Sequence, residues 1–531
     1  MSARRAVGCV ALAVLVASAC SGGGESAEPT TEAVGGSTTT GSDVPVVGGT
    51  LRLGIARLDS LDPAAVSPES VSASIAADLL YDGLTELRDG DDEAQPAIAA
   101  SWTTPDAGVT WRFTLRSDAK FSDGTAITAD DVVRSLRRVV QSGAASLAGS
   151  RLAGLTGYAA FVGGSSPDLP GVAAVDPTTV QLTFDAPLGT APELLAGPTF
   201  GIVPAEFDPA SPGVTSGPFR LGATDADVLH LVRTAGGEAY VDAVDLHQFD
   251  DVADAYDAFD AGSLDWSLVP ASRVDAAADA YGIDGFRSFQ AELFYGFNLA
   301  DPAFADVRFR QAIVQAVDRE AVVRAVYFGI AEPLVTVIPD GVTGHDDSRC
   351  SAGCEYDPDA SRALLATAFP DGTIPEVVLD FDEGADESAV AGVLQQDLQA
   401  VGITATLRPH PAEGFGDFVT SRQGALLRLG WVGASPTGDA YLAPLFQSTS
   451  ADNLTGFADA GVDALLATVA GAVDPATRDD ALAAAESAIL TLAPVLPLAQ
   501  FQVLSVASPP VHDLRLAVNG TFDPEAVWLS P

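Results

Sequence analysis

Four stretches follow one another in one short block of this chain: Pro96-Ala-Ile-Ala-Ala-Ser-Trp102, Trp111-Arg-Phe-Thr-Leu-Arg116, Lys120-Phe-Ser-Asp-Gly-Thr125 and Thr128-Ala-Asp-Asp-Val132. The second alternates strictly, which places Trp111, Phe113 and Leu115 on one face of a strand and Arg112 and Thr114 on the other. Phe121-Ser-Asp-Gly-Thr125 has turn chemistry. Thr128 and Asp131 then carry oxygens that can satisfy the free amides of a first helical turn. Val132, Val133 and Leu136 supply the apolar stripe of that helix.

Outward from this block the same two periods alternate. Leu51, Leu53 and Ile55 mark a strand that ends at Ser60-Leu-Asp-Pro63, and a helix is expected over Ser70–Tyr81. Val180, Leu182 and Phe184 mark another strand after the Asp176-Pro177 turn. Phe309, Ala312, Ile313, Ala316 and Val317 follow helical spacing, and Asp318 caps a further helix with Val322, Val323 and Val326 inward. A strand over Val377–Phe381, a helix over Glu387–Ala400, a strand over Gly402–Leu407 and an alanine-rich helix over Ala476–Leu492 complete the pattern. Strands and helices in alternation predict an α/β fold.

The chain has 531 residues. One hydrophobic core stops growing at roughly 250–300 residues, so more than one lobe is expected. Its 27 basic and 72 acidic residues leave a net charge of −45, and Lys120 is the only lysine. Such a surface repels phosphate backbones, so no nucleic-acid partner is expected. Solubility and base composition account for most of the imbalance.

Arg4 and Arg5 precede an uncharged, largely apolar run from Ala6 to Ala19, too short to cross a hydrocarbon core of about 30 Å. It reads as an export signal occupying residues 1–20. Its end, Ala17-Ser-Ala-Cys20, resembles a bacterial lipobox, which would make Cys20 the lipidated first residue of the mature chain. Residues 21–48, rich in Gly, Ser, Thr, Glu and Pro, are expected to form a tether without a packed core. Of the two remaining cysteines outside this segment, Cys350 and Cys354 stand in one short Gly-containing turn, and outside the cytosol they are expected to pair.

Reaction chemistry is missing. No phosphate-binding loop, nucleophile elbow or zinc-protease motif is present. His230, His247, His345, His410 and His512 lie far apart, none at metal-ligand spacing with another. No metal, no cofactor and no enzymatic activity are expected.

The opening block resembles, in order and spacing, the signature of the family 5 solute-binding proteins, the peptide/nickel/opine class of ABC importers. Further matches keep the family's order: Leu79-Leu-Tyr-Asp-Gly-Leu84, Thr215-Ser-Gly-Pro-Phe219, Phe297-Asn-Leu299, Val307-Arg-Phe-Arg-Gln-Ala312, Ala316-Val-Asp-Arg319, Tyr356-Asp-Pro358 and Ala493-Pro-Val-Leu-Pro497. The resemblance implies the periplasmic-binding-protein type II fold, with two hinged lobes and an extra subdomain in the larger. It divides the chain into lobe I (49–90, 200–290 and 500–531), a subdomain (91–199) and lobe II (291–499). It implies a monomeric receptor that hands a small solute, by family default an oligopeptide, to importer permease subunits. An oligosaccharide, another non-peptide solute, or a sensory surface role without transport stand as alternatives.

The resemblance also implies a site. Arg428-Leu-Gly-Trp431 is similar to the family's R-x-G-W segment, with Trp431 as a flat wall and Arg428 as a cation for a carboxylate or carbonyl. Gly433, Ser60, Leu61, Phe294, Tyr295 and Asn298 are further ligand-binding candidates, while Gly217 is expected to serve its turn. The family's peptide binders carry an Asp shortly after the Trp, which holds the peptide's ammonium group. Here Val432-Gly-Ala-Ser-Pro436 stands in that place, and the next carboxylate is Asp439.

Overall fold

The computed structural model describes residues 44–531 except 92, 143–150, 328 and 351–352. The export signal, Cys20 and most of the expected tether lie outside the described residues.

The opening block folds as its periods dictate. Strand Thr110–Leu115 buries Trp111, Phe113 and Leu115 to 3, 0 and 4% exposure, so its alternation is the division between core and solvent. It pairs with Ala99–Thr103 on one side and Thr179–Thr183 on the other, and Val172–Asp176 completes a four-stranded antiparallel sheet. Helix Ala129–Ser142 starts where Thr128 donates both its amide and its hydroxyl to the Asp131 carboxylate, at 2.9 and 2.6 Å. This sheet and helix enclose their own apolar cluster, which runs from Ile98 to Ile202 and takes in Ala64 and Leu84.

A second, 11-stranded mixed sheet runs through the rest of the described residues. Two long strands, Phe286–Phe297 and Val495–Ala507, are its spine. Their antiparallel register breaks between Ser288 and Glu292. On one side of the break, Trp266–Leu268, Thr50–Ala56, Ala243–Phe249, Val228–Arg233 and Phe219–Thr224 follow in order. On the other side come Leu426–Val432, Val377–Asp382 and Ala405–His410. Helices Asp439–Phe446, Ala460–Gly471 and Pro475–Leu492 cover one face there, burying Phe294, Leu427 and Leu429.

Most expected elements form near their predicted limits: Val71–Leu80, capped by Ser70, Val307–Ala316, Arg319–Val326, capped by Asp318, and Pro475–Leu492. The strand expected from Gly402 starts only at Ala405. Gly402 has φ +94° and donates to Gln399 O at 3.1 Å, while Ile403 donates to Leu398 O at 2.9 Å. That pair of bonds closes the helix Ala385–Ala400 with a left-handed glycine cap, and the cap consumes the residues expected to extend the strand. Gly217 is needed for close approach: an added Cβ would sit 2.7 Å from the Leu80 carbonyl carbon and the Tyr81 amide. No helix among the described residues is long and apolar enough to cross a membrane.

Candidate functional site

Strand Leu426–Val432 pairs with Phe286–Phe297 so that Tyr295 faces Arg428, Phe294 faces Leu429 and Glu292 faces Trp431. Side chains alternate across a sheet, so Arg428 and Tyr295 share one face and Trp431, Phe294 and Glu292 the other. The Arg428 guanidinium lies 3.1 Å from Asp382 and 3.3 Å from Glu387, with all three side chains largely buried. Tyr295 is fully buried and its hydroxyl has no hydrogen-bond partner. Burial holds that hydroxyl's pKa well above its ordinary value.

The other expected residues divide between support and surface. Asn298 donates to the carbonyls of Arg422 and Gly424 at 2.9 and 2.7 Å, so it shapes the turn before Leu426–Val432. Phe294 packs in the helix-covered cluster. Gly433 donates to Gln290 O at 3.1 Å, and a Cβ there would strike the Tyr441 ring at 2.7 Å. Trp431 is partly buried and donates from Nε1 to Ala440 O at 2.8 Å. Ser60 is exposed and accepts from the Asp62 amide at 3.1 Å, while Leu61 gives its carbonyl to the Tyr81 hydroxyl at 3.0 Å. Cys350 and Cys354 are joined as a disulfide with their Cα atoms 5.7 Å apart.

Beyond Gly433 the chain enters a space where all parts of the molecule meet. Ala434, Ser435 and Pro436 line it, together with Glu193, Pro198 and Thr199 of the four-stranded unit. Val66, Pro68 and Ser74 close the side, Gln290 lies at the register break, and Arg151 and Asn519 complete the lining. The cavity here is tight, at about 20 Å³. Pro436 and Asn519 also border a wider polar groove of about 590 Å³, bounded by 87–91, 286–288, 340–345 and 516–519. That volume falls in the range of small-molecule sites.

The groove's own charges are largely paired off. Arg88 reaches Glu86 at 2.7 Å, Arg287 bonds Asp89, and Ser288 donates to Asp340 at 2.8 Å. The tight end differs. The Gln290 side chain is 3% exposed, and its Oε1 has no partner. Glu193 pairs with Arg478 at 3.4 Å, leaving its other oxygen unpartnered. Burial raises the Glu193 pKa, and Arg478 partly offsets that. Beside them Thr190 donates to Asp439 at 2.7 Å and Gly189 to Ala470 O at 2.8 Å, which docks the four-stranded unit onto the helix-covered part.

Sequence reasoning did not find Arg151, Gln290, Ser435 or Asn519. Only Gln290 carried a signal: with Glu292 it interrupts the otherwise apolar second half of Phe286–Phe297 with groups that need a buried partner. The other three come from distant loops, and nothing in their neighbours marks them. No group of residues suited to hold a metal ion occurs among the described residues.

Residues 93–453 match the model of the bacterial extracellular solute-binding proteins, family 5 (middle region). Over 495 aligned residues the chain is 28% identical to the probable deoxycholate-binding periplasmic protein YgiS of Escherichia coli strain K12, covering 86% of this chain and 89% of that protein. The dipeptide-binding protein DppE of Bacillus subtilis strain 168 is 26% identical over 451 residues, covering 79% of this chain and 81% of the relative. Among solved structures, the unliganded open form of the murein tripeptide-binding protein MppA superposes with a TM-score of 0.83 at 22% identity, over 93% of this chain and 99% of that one. The family match spans well over half of the sequence, and the fold agrees with it throughout. The chain therefore belongs to the family 5 bacterial extracellular solute-binding proteins.

Proposed function

We propose that this protein is the solute receptor of an ABC importer, closing two lobes over its ligand and standing off the membrane on a lipid attached at Cys20. The observation that carries the reading is the site's position. A ligand-sized groove and its tight polar end lie where the two halves of the large sheet meet, and the two long strands that join them lose register at Ser288–Glu292. A solute touching both sides there biases a hinge through its extra contacts in the closed state. Lobe I is 49–90, 200–290 and 500–531, with 91–199 as its subdomain, and lobe II is 291–499. Trp431 and Gly433 support the wall that carries Ala434–Pro436, and Arg428, Tyr295, Phe294 and Asn298 hold the strands behind it.

The relatives named for dipeptides, murein tripeptide and deoxycholate support a small organic solute, with a short peptide as the family default. Native mass spectrometry of freshly purified protein, compared with the denatured chain, weighs the bound solute. A reproducible mass of a few hundred daltons is expected, with thermal stabilisation on adding it back. An empty cleft in every preparation, and no stabilisation by peptide or bile-acid libraries, refutes the reading. Cys20→Ala should abolish metabolic labelling by fatty acid and release the protein from membranes. Labelling that persists refutes the anchor.

A further inference from the structure

The tight end of the cleft contains a cation without a counter-ion. Arg151 lines it, from the four-stranded unit, and makes no hydrogen bond or ion pair with any described residue. This contrasts with Arg428, held by Asp382 and Glu387, and with Arg478, held by Glu193. Burial lowers the Arg151 pKa to about 10, and only the Tyr441 hydroxyl opposes the shift. An arginine stays charged at neutral pH even so.

Its neighbours in the pocket are polar. The buried Gln290 side chain has no partner for its Oε1. Asn519 spends its oxygen on the Thr521 amide and hydroxyl, at 3.2 and 2.8 Å, and its NH₂ group makes no hydrogen bond among the described residues. Ala434-Ser435-Pro436, also in the lining, brings no charge. Glu193 is the one carboxylate in the lining; one of its oxygens pairs with Arg478 and the other has no partner. A desolvated cation without a counter-ion is costly unless a ligand supplies the acceptor.

Resting on the receptor reading above, we propose that the tight end holds the carboxylate of an organic anion, with Arg151 as its charge partner and Asn519 as an additional donor. A space of about 20 Å³ takes one or two waters or the two oxygens of a carboxylate, while the ligand's body extends past Pro436 and Asn519 into the groove. The recognised feature is thus an acid group, in contrast to an ammonium group.

Two matched probe sets test this by thermal shift and intrinsic tryptophan fluorescence. One is deoxycholate against its methyl ester. The other is N-acetylated tripeptides with a free carboxylate, against tripeptide amides with a free amine. The free carboxylates of at least one set should stabilise the full-length protein, and esters and amides should not. Arg151→Gln should weaken that binding roughly tenfold or more. The same substitution should leave the melting temperature of the empty protein unchanged or raise it, because it removes an unpaired buried charge. A structural arginine would instead lower it. If amides and amines stabilise as well as acids, or R151Q binds the acids as tightly as the parent, the anion assignment falls and the receptor reading stands. If no probe of either set stabilises the protein, both fall.

Discussion

Replacing Arg428 by Met asks whether this residue serves the ligand or the fold. The guanidinium lies 3.1 Å from Asp382 and 3.3 Å from Glu387, with side-chain exposures of 9, 10 and 19%. With an effective dielectric constant of about 20, unit charges at such separations attract by roughly 5 kcal/mol per pair. Desolvation of the three groups offsets most of that in the intact cluster. Removing only the cation leaves two carboxylates buried and uncompensated, so R428M should lose about 3–5 kcal/mol. Urea unfolding followed by tryptophan fluorescence measures it. Adding Asp382→Asn and Glu387→Gln should restore much of the loss. A variant within about 0.5 kcal/mol of the parent at pH 7.5 that nevertheless loses its ligand response would refute the structural role.

Three further outcomes follow from particular contacts. Cys350→Ser with Cys354→Ser opens a very short loop, and should cost about 2 kcal/mol, read by thermal unfolding with and without reductant; the double variant should be insensitive to reductant. Gly217→Ala forces a methyl group against backbone atoms of Leu80 and Tyr81 at 2.7 Å, and should destabilise by about 1–3 kcal/mol in the same assay. Burial, with smaller repulsions from Glu525 and Glu86, pushes the Asp82 pKa up to about 8. Its stabilising contribution is complete below the unfolded carboxylate pKa and is lost as pH rises, with nothing further to lose above about pH 8. Asp82→Asn should therefore stabilise the protein at pH 8.5 relative to the parent and change little at pH 4, measured as melting temperature against pH.

Local periodicity carried the elements because each depends on neighbours in sequence. Trp111, Phe113 and Leu115 alternate whatever lies above them, and Ser70, Asp318 and Asp131 sit where first-turn amides need an acceptor. The ordered motifs from Leu79 to Pro497 were enough to place the chain in its family. The site was less legible. Arg428 reads as a binding cation along the chain, and only the fold shows Asp382 and Glu387 brought against it from the strand Val377–Asp382 and the helix Ala385–Ala400. The absence of a carboxylate at Val432–Pro436 was visible in the sequence. What stands in the pocket instead was not. Arg151, Gln290 and Asn519 come from three distant parts of the chain and meet only after the four-stranded unit docks on the helix-covered part. The sequence by itself determined strands, helices, turns and family, through spacings of two to four residues. Which charges are neutralised and which are left for a ligand was decided by the tertiary structure alone, because desolvation and charge pairing depend on separations in space.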